Sequence, residues 1–542
     1  MKKMKLGKYN LIGYGCLLLA FFINFYIALP ELNIHSNAFW SGIIVYLVLG
    51  LVFSLPLSKK YWSIDFSFKK MSVLTKIWLV LIGICVFVLL FGNFISSPLF
   101  HAKKYASLIT VEIGNFEEDI KESEDINDIA LMDTASARII GERAIGSLAD
   151  VVSQYEVSDE YTTFDYNGRP MKIATLEYAD WFKWFNNRKD GIPGYVLVDP
   201  VENEATYVEL ENPIKYTSSG HFGDNLQRLL RFKYPTAIFE GYYLELDNEG
   251  KPYYICPTMT AKIGIFGGKD VKGVVICDPT NGDCEYYDIE NVPNWVDRVY
   301  DGTLVQEKYD WYGMYSGGYF NSIIGNKGCK VTTDDYGYKV MEGDVWIYTG
   351  VTSVNGDESN IGFVMINLRT CECKYYEIAG AEEYSAMSSA EGQVQHLGYT
   401  AAFPSLINID GSPTYIMVLK DNAGLVKMYA MVNVQKYNIV ATGSTQKEAL
   451  AEYRRLLKDN GIIGSDQLAT ENIPSKKITI LDITFVTTDG ETIVYIKDTE
   501  NGVYKQNFAE NESLILLNEG DIFTVYCEES DNAIKELVSY QY

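Results

Sequence analysis

The sequence predicts an α+β protein: three N-terminal transmembrane helices, then repeated helix-plus-antiparallel-sheet modules, then a small C-terminal all-β domain. Three observations predict it. Three apolar runs fill the first hundred residues. A strand, polar turn and Tyr-bearing strand then recur, as "GIPGYVLVDPVENEATYVEL" (191–210), "VKGVVICDPTNGDCEYYDIE" (271–290) and "IGFVMINLRTCECKYYEIAG" (361–380). The last stretch, 475–542, reads as four or five strands with turns at Asp489–Gly490 and Asn501–Gly502. The expected divisions are 1–100 for the membrane, 101–210 for a helical stalk and first module, and 211–300 for a second module. A third and fourth hairpin-helix module fill 301–470, and a small barrel or sandwich fills 475–542. A chain of 542 residues exceeds one hydrophobic core, and 47% hydrophobic with 14% aromatic content argues against disorder.

The apolar runs are 11–30, 38–56 and 77–96. Each has about the twenty residues that cross roughly 30 Å of hydrocarbon. Residues 1–100 carry nine Lys, in "MKKMKLGK", "SKKYWSIDFSFKK" and Lys76, against Glu31 and Asp65. The link "ELNIHSNA" has no Lys or Arg. Positive charge stays on the cytoplasmic side, so the N-terminus is expected in the cytoplasm and everything after residue 100 outside. Trp40, Trp62 and Trp78 fall near the expected interfaces. The runs carry no Asp, Glu, Lys, Arg or His, so nothing in them suggests a transport path. Asn24 and Asn93 are expected to join helices, and Gly42 and Gly50 to let helices approach closely, with a homo-oligomer left open.

The whole chain has a net charge of −25, and its first hundred residues carry +7, leaving −32 for the remainder. Such a surface repels phosphate backbones, which speaks against nucleic acid as a partner.

Beyond residue 100 the spacing predicts helices over 101–160, with Asp133 breaking an apolar face. Asn167–Gly168 predicts a hairpin turn. "EYADWFKWFNN" reads as an amphipathic helix, "FGDNLQRLLRFKYP" as another and "ENVPNWVDRVY" as a short one. Hairpins turn at "DNEG" and "DNAG". "GAEEYSAMSSAEGQVQ" and 444–461 are further helices, the latter with Ser444 as its cap and Gly461 as its end. Recurrence of one order suggests duplicated modules packed side by side. Adjacent Tyr pairs such as Tyr253–Tyr254, Tyr286–Tyr287 and Tyr375–Tyr376, with Tyr195 and Tyr207, should place one ring inside and one outside, where it could stack on glycan or peptide.

Nine Cys are present. Cys16 and Cys85 lie in the spans. Cys277 and Cys284 bracket a turn and could face each other. Cys371 and Cys373, two apart, should share a strand face. The odd number of Cys256, Cys277, Cys284, Cys329, Cys371, Cys373 and Cys527 leaves one free or paired between chains. No His accompanies the CxC, so the four-ligand pattern of zinc is missing, and no metal or cofactor is expected.

Catalytic constellations are poor. There are four His, and His35 and His101 adjoin the spans. His221 follows Ser218 and Ser219, without the elbow a serine nucleophile uses. His396 follows Ser385, Ser388 and Ser389. Glu177 with Asp180, and Asp357 with Glu358, are the closest approach to a paired-carboxylate site. "DPTNGD" lacks the full calcium-loop pattern. No residue is assigned a catalytic role.

Val198, Asp199 and Pro200, echoed by Cys277, Asp278 and Pro279, form a "VDP" turn between strands that resembles the terminal hairpin of PepSY-type domains. That resemblance implies small extracytoplasmic helix-plus-sheet modules associated with inhibition or envelope interactions. "TASARIIGERAIGSL", "WFKWFNNRKDGIPGY", "FGGKDVKGVVICDP", "GVTSVNGDESNIGFV" and "AGAEEYSAMSSAEGQVQ" together resemble an uncharacterised family of membrane-anchored proteins from Gram-positive bacteria, across most of the chain. It implies placement and no reaction. The sequence therefore points to a non-enzymatic, membrane-anchored extracytoplasmic binding or scaffold protein. Its partners would be an envelope protein or cell-wall component, with the bilayer held through residues 11–96. An envelope hydrolase and an accessory subunit of a larger membrane complex are the alternatives.

Overall fold

Three helices lead the chain: α1 (Lys8–Ala28), α2 (Asn37–Ser54) and α3 (Val73–Ser96). The structure is a computed structural model that describes residues 8–54, 73–122, 126, 129–146, 148–354, 359–462, 475–488, 491–508, 514–515, 517–527 and 534–541. The Lys-rich segments 1–7 and 57–72, the pair Asp357 and Glu358, and the Asp489–Gly490 turn lie outside them. All three helices are long and apolar enough to cross a membrane, with mean hydropathy of 2.0, 1.8 and 2.7. Their side chains face outward, at most 11% of any span being buried. The third begins at Val73, earlier than expected, and takes Lys76 into its first turn. Asn93 donates to Asn37 at 3.0 Å, tying α3 to α2. Gly50 lets the Trp78 ring lie against α2, where a Cβ would come within 2.7 Å of it. Gly42 faces open space instead.

The chain continues through α4 (Pro98–Ala106), β1 (Val111–Ile113) and α5 (Phe116–Asp119). Only part of the expected stalk is helical. β1 pairs in parallel with a strand some 260 residues later, Val111 opposite Cys373. Phe116 and Ile120 are buried in the core that the later sheets share.

Four modules follow, and they share one topology. Module one has α6 (Thr134–Gly146), α7 (Ala149–Val152), β2 (Tyr155–Val157), β3 (Thr162–Tyr166), β4 (Arg169–Tyr178), α8 (Trp181–Asn187), β5 (Ile192–Asp199) and β6 (Glu204–Ile214). Module two has α9 (Leu226–Lys233), β7 (Ile238–Phe239), β8 (Tyr243–Leu246), β9 (Pro252–Ile263), β10 (Gly267–Cys277) and β11 (Cys284–Asp288). Module three has α10 (Gly302–Tyr315), β12 (Lys330–Thr332), β13 (Gly337–Met341), β14 (Asp344–Ser353), β15 (Ser359–Asn360), β16 (Gly362–Asn367) and β17 (Cys373–Tyr376), after which β18 (Gly380–Ala381) pairs with β15. Module four has α11 (Glu383–Gln393), β19 (Thr400–Ala401), β20 (Ser405–Ile409), β21 (Ser412–Lys420), β22 (Val426–Asn433) and β23 (Val440–Gly443), and α12 (Gln446–Asp459) follows it.

In each module one long strand pairs twice on the same edge. The first half of β4, β9, β14 or β21 takes a short hairpin partner, and the second half takes an earlier short strand. Two more antiparallel strands complete the other edge. Asn167 and Gly168, with φ of 55° and 83°, make the first of the tight turns. An Asp or Asn side chain closes the turn that follows β5, β10, β16 and β22. Asp199 accepts from Val201 N, Asp278 from Thr280 N, Asn367 from Arg369 N and Asn433 from Lys436 N, all at 2.8–2.9 Å. The three hairpins read from sequence are thus three of four, and the fourth carries Asn in "MVNVQKYNIV".

Helices and sheets alternate through the stack. Leu226 and Leu230 of α9 share a core with module-one and module-two strands. Leu304, Val305 and Tyr309 of α10 lie between the sheets of modules two and three. Ala386 and Ala390 of α11 lie between those of modules three and four. A sheet covered on both faces puts successive side chains into two different cores. Tyr375 and Tyr376 are therefore both buried, in different cores, and neither offers an outward ring. Tyr195 and Tyr254 are also buried, while Tyr286 is exposed. Module four also reaches module one, where Lys420 Nζ meets the Asp133 carboxylate at 2.6 Å. Asp133 accepts from Ser136 N at 2.8 Å, so it caps α6 and does not interrupt its face.

Module two sits on the ends of the spans. Leu32 N donates to Pro235 O, Asn33 Nδ2 to Thr236 O and Arg231 Nε to Leu29 O, at 2.7–2.9 Å. His35 Nδ1 is 2.8 Å from Ile265 O. Ser96 Oγ, at the end of α3, accepts from the N–H groups of Ile265 and Phe266 in the β9–β10 turn. The 29–36 link, the end of α3 and the modules therefore share one side of the spans.

The chain divides into two compact units, Met1–Leu457 and Lys458–Tyr542. In the second, β24 (Ser475–Thr488), β25 (Glu491–Asp498), β26 (Val503–Asn507), β27 (Ile522–Cys527) and β28 (Ile534–Gln541) close a barrel in the order β24-β25-β26-β28-β27. The third and fifth strands are parallel. That order is the OB-type arrangement, which selects among the barrel and sandwich forms the sequence left open.

Candidate functional site

The short hairpins of the modules converge, and they bring buried charge with them. Glu245 of β8 is fully buried and accepts from the N–H groups of Asp297 and Arg298, each at 2.9 Å. Asp297 in turn accepts from Asp165 N of β3. The Arg298 guanidinium lies between the rings of Tyr243 and Tyr338, 4.6 and 5.0 Å from their centroids. Asp344 of β14 accepts from Arg369 and Asn367. Lys172 of β4 is buried beside Thr163. Modules one, two and three thus meet through a dry cluster of ions. This also bears on why 290–300 is not the short helix its spacing suggests: Glu245 takes the N–H groups of Asp297 and Arg298, and only Ile289–Asn291 forms a single 3-10 turn.

Burial pushes the Glu245 carboxyl up to about 7, against the backbone donors and Arg298. Burial and the adjacent Glu245 charge hold Asp297 well above the usual carboxylate range. Burial pulls Lys172 down to about 8. A carboxyl whose folded value is raised contributes stability in full below its unfolded value, and that contribution is lost as pH rises through the folded value. The thermal midpoint is therefore expected to fall between about pH 4.5 and 7, with Glu245 accounting for about 3 kcal/mol. A midpoint that climbs over this interval contradicts the assignment.

A second place is open to solvent. A cleft of about 850 Å³ runs between α11 and the β15–β18 pair. Ser385, Ser388 and Ser389 of α11 line one wall, and Asn360 and Glu382 also line the cleft. Gln435 and Tyr437, from the loop between β22 and β23, line the other wall. Two half-exposed rings, Tyr384 and Tyr437, stand at this cleft. Neighbouring sheets hold the frame: Glu383 is buried and accepts from Gly350 N at 2.7 Å, and Ala381 N donates to Val434 O at 2.8 Å. The lining is mostly hydroxyl, amide and aromatic, with one carboxylate. Such a surface hydrogen-bonds neutral polar groups and stacks on flat apolar faces.

The residue pairs suggested by sequence are mostly separated. Ser219 Oγ accepts from Tyr178 N and Ser218 Oγ donates to Glu177, while His221 packs edge-on against Trp184. Asp180 caps α8 through Phe182 N and Lys183 N, so it is not paired with Glu177 for acid–base work. His396 lies in a 3-10 turn after α11, and the serines before it serve the cleft. Cys277 and Cys284 are directly opposed across β10 and β11, as free thiols. Cys371 lies in the turn, with φ 61°, and only Cys373 is in the strand, so the two do not share a strand face. Among the described residues no group of three His, Cys, Asp or Glu side chains is placed to hold a metal ion. Sequence reasoning missed the ion cluster entirely, since its members come from four separate segments. It named the cleft serines only through His396.

These features define an α+β protein with three helices of membrane-spanning length, four stacked modules and a barrel. No protein-family model and no curated protein matches the chain. Among solved structures, a mutant levansucrase from B. megaterium aligns at 9% identity over 78% of this chain and 98% of that one, with a TM-score of 0.16. A likeness that low carries no argument about fold or activity.

Proposed function

We propose that this chain is a membrane-anchored, extracytoplasmic binding protein of the bacterial envelope, and that the α11 cleft holds a hydroxyl-rich wall component. The cleft carries the reading: three serines, Gln435 and two tyrosines line one open space on a frame fixed by neighbouring sheets. Sugars offer hydroxyls to such a wall and C–H faces to such rings. The Lys distribution supports an outward orientation, with nine Lys before and between the spans and none in the 31–37 link. The test is sedimentation of the purified protein with isolated cell-wall glycan. Retention is expected to fall at least about tenfold for Tyr384→Ala with Tyr437→Ala, an amount equal to about 1.4 kcal/mol. Unchanged retention, with the fold intact by circular dichroism, rules out the cleft as the binding surface.

A further inference from the structure

Module one differs from its neighbours at one connection. Modules two and four join β9 to β10 and β21 to β22 by short turns, and module one inserts α8, "WFKWFNN", between β4 and β5. The equivalent turn of module two is the one that Ser96 and His35 hold at the ends of the spans. Of the α8 aromatics only Trp184 is buried, whereas Trp181, Phe182 and Phe185 are 45%, 70% and 47% exposed. They form one patch, with Trp181 stacked on Phe185 at 5.4 Å and edge-on to Phe182 at 5.2 Å.

This patch is continuous with the first span. Trp184 packs on the exposed Phe222 at 5.7 Å. Arg228 donates both to Phe222 O and to Tyr26 O in the last turns of α1, with its guanidinium over the Tyr26 ring. Exposed Phe232 lies edge-on to Phe25 and Tyr26, at 5.6 and 6.2 Å. Side chains touching the last turns of a membrane helix lie at the depth where aromatic belts form. Charge agrees with this. Residues 181–190 hold Lys183, Arg188 and Lys189 against Asp190, in a portion of the chain whose net charge is −32. Arg188 lies 4.0 Å from the Phe185 ring centroid, the aromatic-plus-basic pairing of interfacial helices.

We propose that α8 and Phe222 form a foot that rests in the headgroup layer of the bilayer crossed by α1–α3, and that its basic residues favour anionic lipid. This stands whichever face of the membrane the modules occupy, so it does not depend on the wall-binding reading. The experiment reconstitutes the full chain into phosphatidylcholine vesicles with and without phosphatidylglycerol. p-Benzoyl-L-phenylalanine replaces Phe182 or Phe222, and photo-adducts are identified by mass. Lipid adducts are expected at both positions, with phosphatidylglycerol captured several-fold above its mole share. K183Q/R188Q/K189Q is expected to return capture to the mole share while keeping the adducts. No lipid adduct at either position, or adducts to a second copy of the chain instead, would overturn the foot. Capture at the mole share in the unaltered basic background would overturn the anionic preference.

Discussion

Glu245→Ala is expected to destabilise the Met1–Leu457 unit by about 3–5 kcal/mol, the range for breaking a buried ionic network by removing one partner. The methyl group leaves the N–H groups of Asp297 and Arg298 without their acceptor in a site water does not reach. Each orphaned donor costs about 1–3 kcal/mol. It also removes a negative charge that interacts with Arg298, whose Nε and Nη1 have no hydrogen-bond partner and whose ion pair is to Asp301 at 3.8 Å. Because 292–300 is held in its non-helical path by this carboxylate, the change should loosen the junction of three modules together. Thermal unfolding in detergent at about pH 8, above the raised value of Glu245, keeps the group ionised in both the folded and unfolded states and separates this effect from its titration. A loss under about 1 kcal/mol, the scale of an exposed ion pair, would show that the modules are joined by their apolar cores alone.

Tyr309→Ala is expected to cost a similar amount, about 3–5 kcal/mol, for a different reason. Tyr309 lies on α10 and is completely buried between the sheets of modules two and three. Its ring packs near Tyr312 and stacks on Tyr375 at 6.5 Å. The two sheets are fixed by their own hydrogen bonds and cannot collapse onto one alanine, so a cavity remains. The conservative Tyr309→Phe should cost little, since the Tyr309 hydroxyl has no hydrogen-bond partner. Chemical denaturation of the two variants separates ring loss from hydroxyl loss. Equal losses for both would contradict the packing argument.

Helix α10 shows why parts of the fold were illegible in the sequence. Surface helices reveal themselves by one apolar stripe, as α12 does with Ala449, Tyr453 and Leu457 buried on one side. The buried face of α10 carries Lys308 and Gly313 beside Leu304, Val305 and Tyr309, so no clean apolar stripe stands out. Its signal was Asp301, which caps the helix through Thr303 N. Local turn chemistry was the most legible feature, because Asn167–Gly168 and the Asp199 and Asp278 turns depend only on their neighbours. The cap of α12 lies one residue beyond Ser444: Thr445 Oγ1 accepts from Glu448 N, and the Glu448 carboxylate accepts from Thr445 N, which makes a capping box, and from Ser444 N as well. β1 pairing with β17 and the ion cluster of Asp165, Glu245, Asp297 and Arg298 arise from residues far apart in the chain. Nothing local marks them.

Which side of the membrane the modules occupy decides whether the cleft meets the wall, and the account depends on that more than on any single residue. The most direct measurement places an epitope tag within 57–72 or after Tyr542 and probes intact protoplasts with antibody. Staining is expected at the C-terminal tag, with the tag in 57–72 stained only after permeabilisation. Staining of the tag in 57–72 alone would contradict this, placing the modules and the cleft in the cytoplasm, away from any wall component.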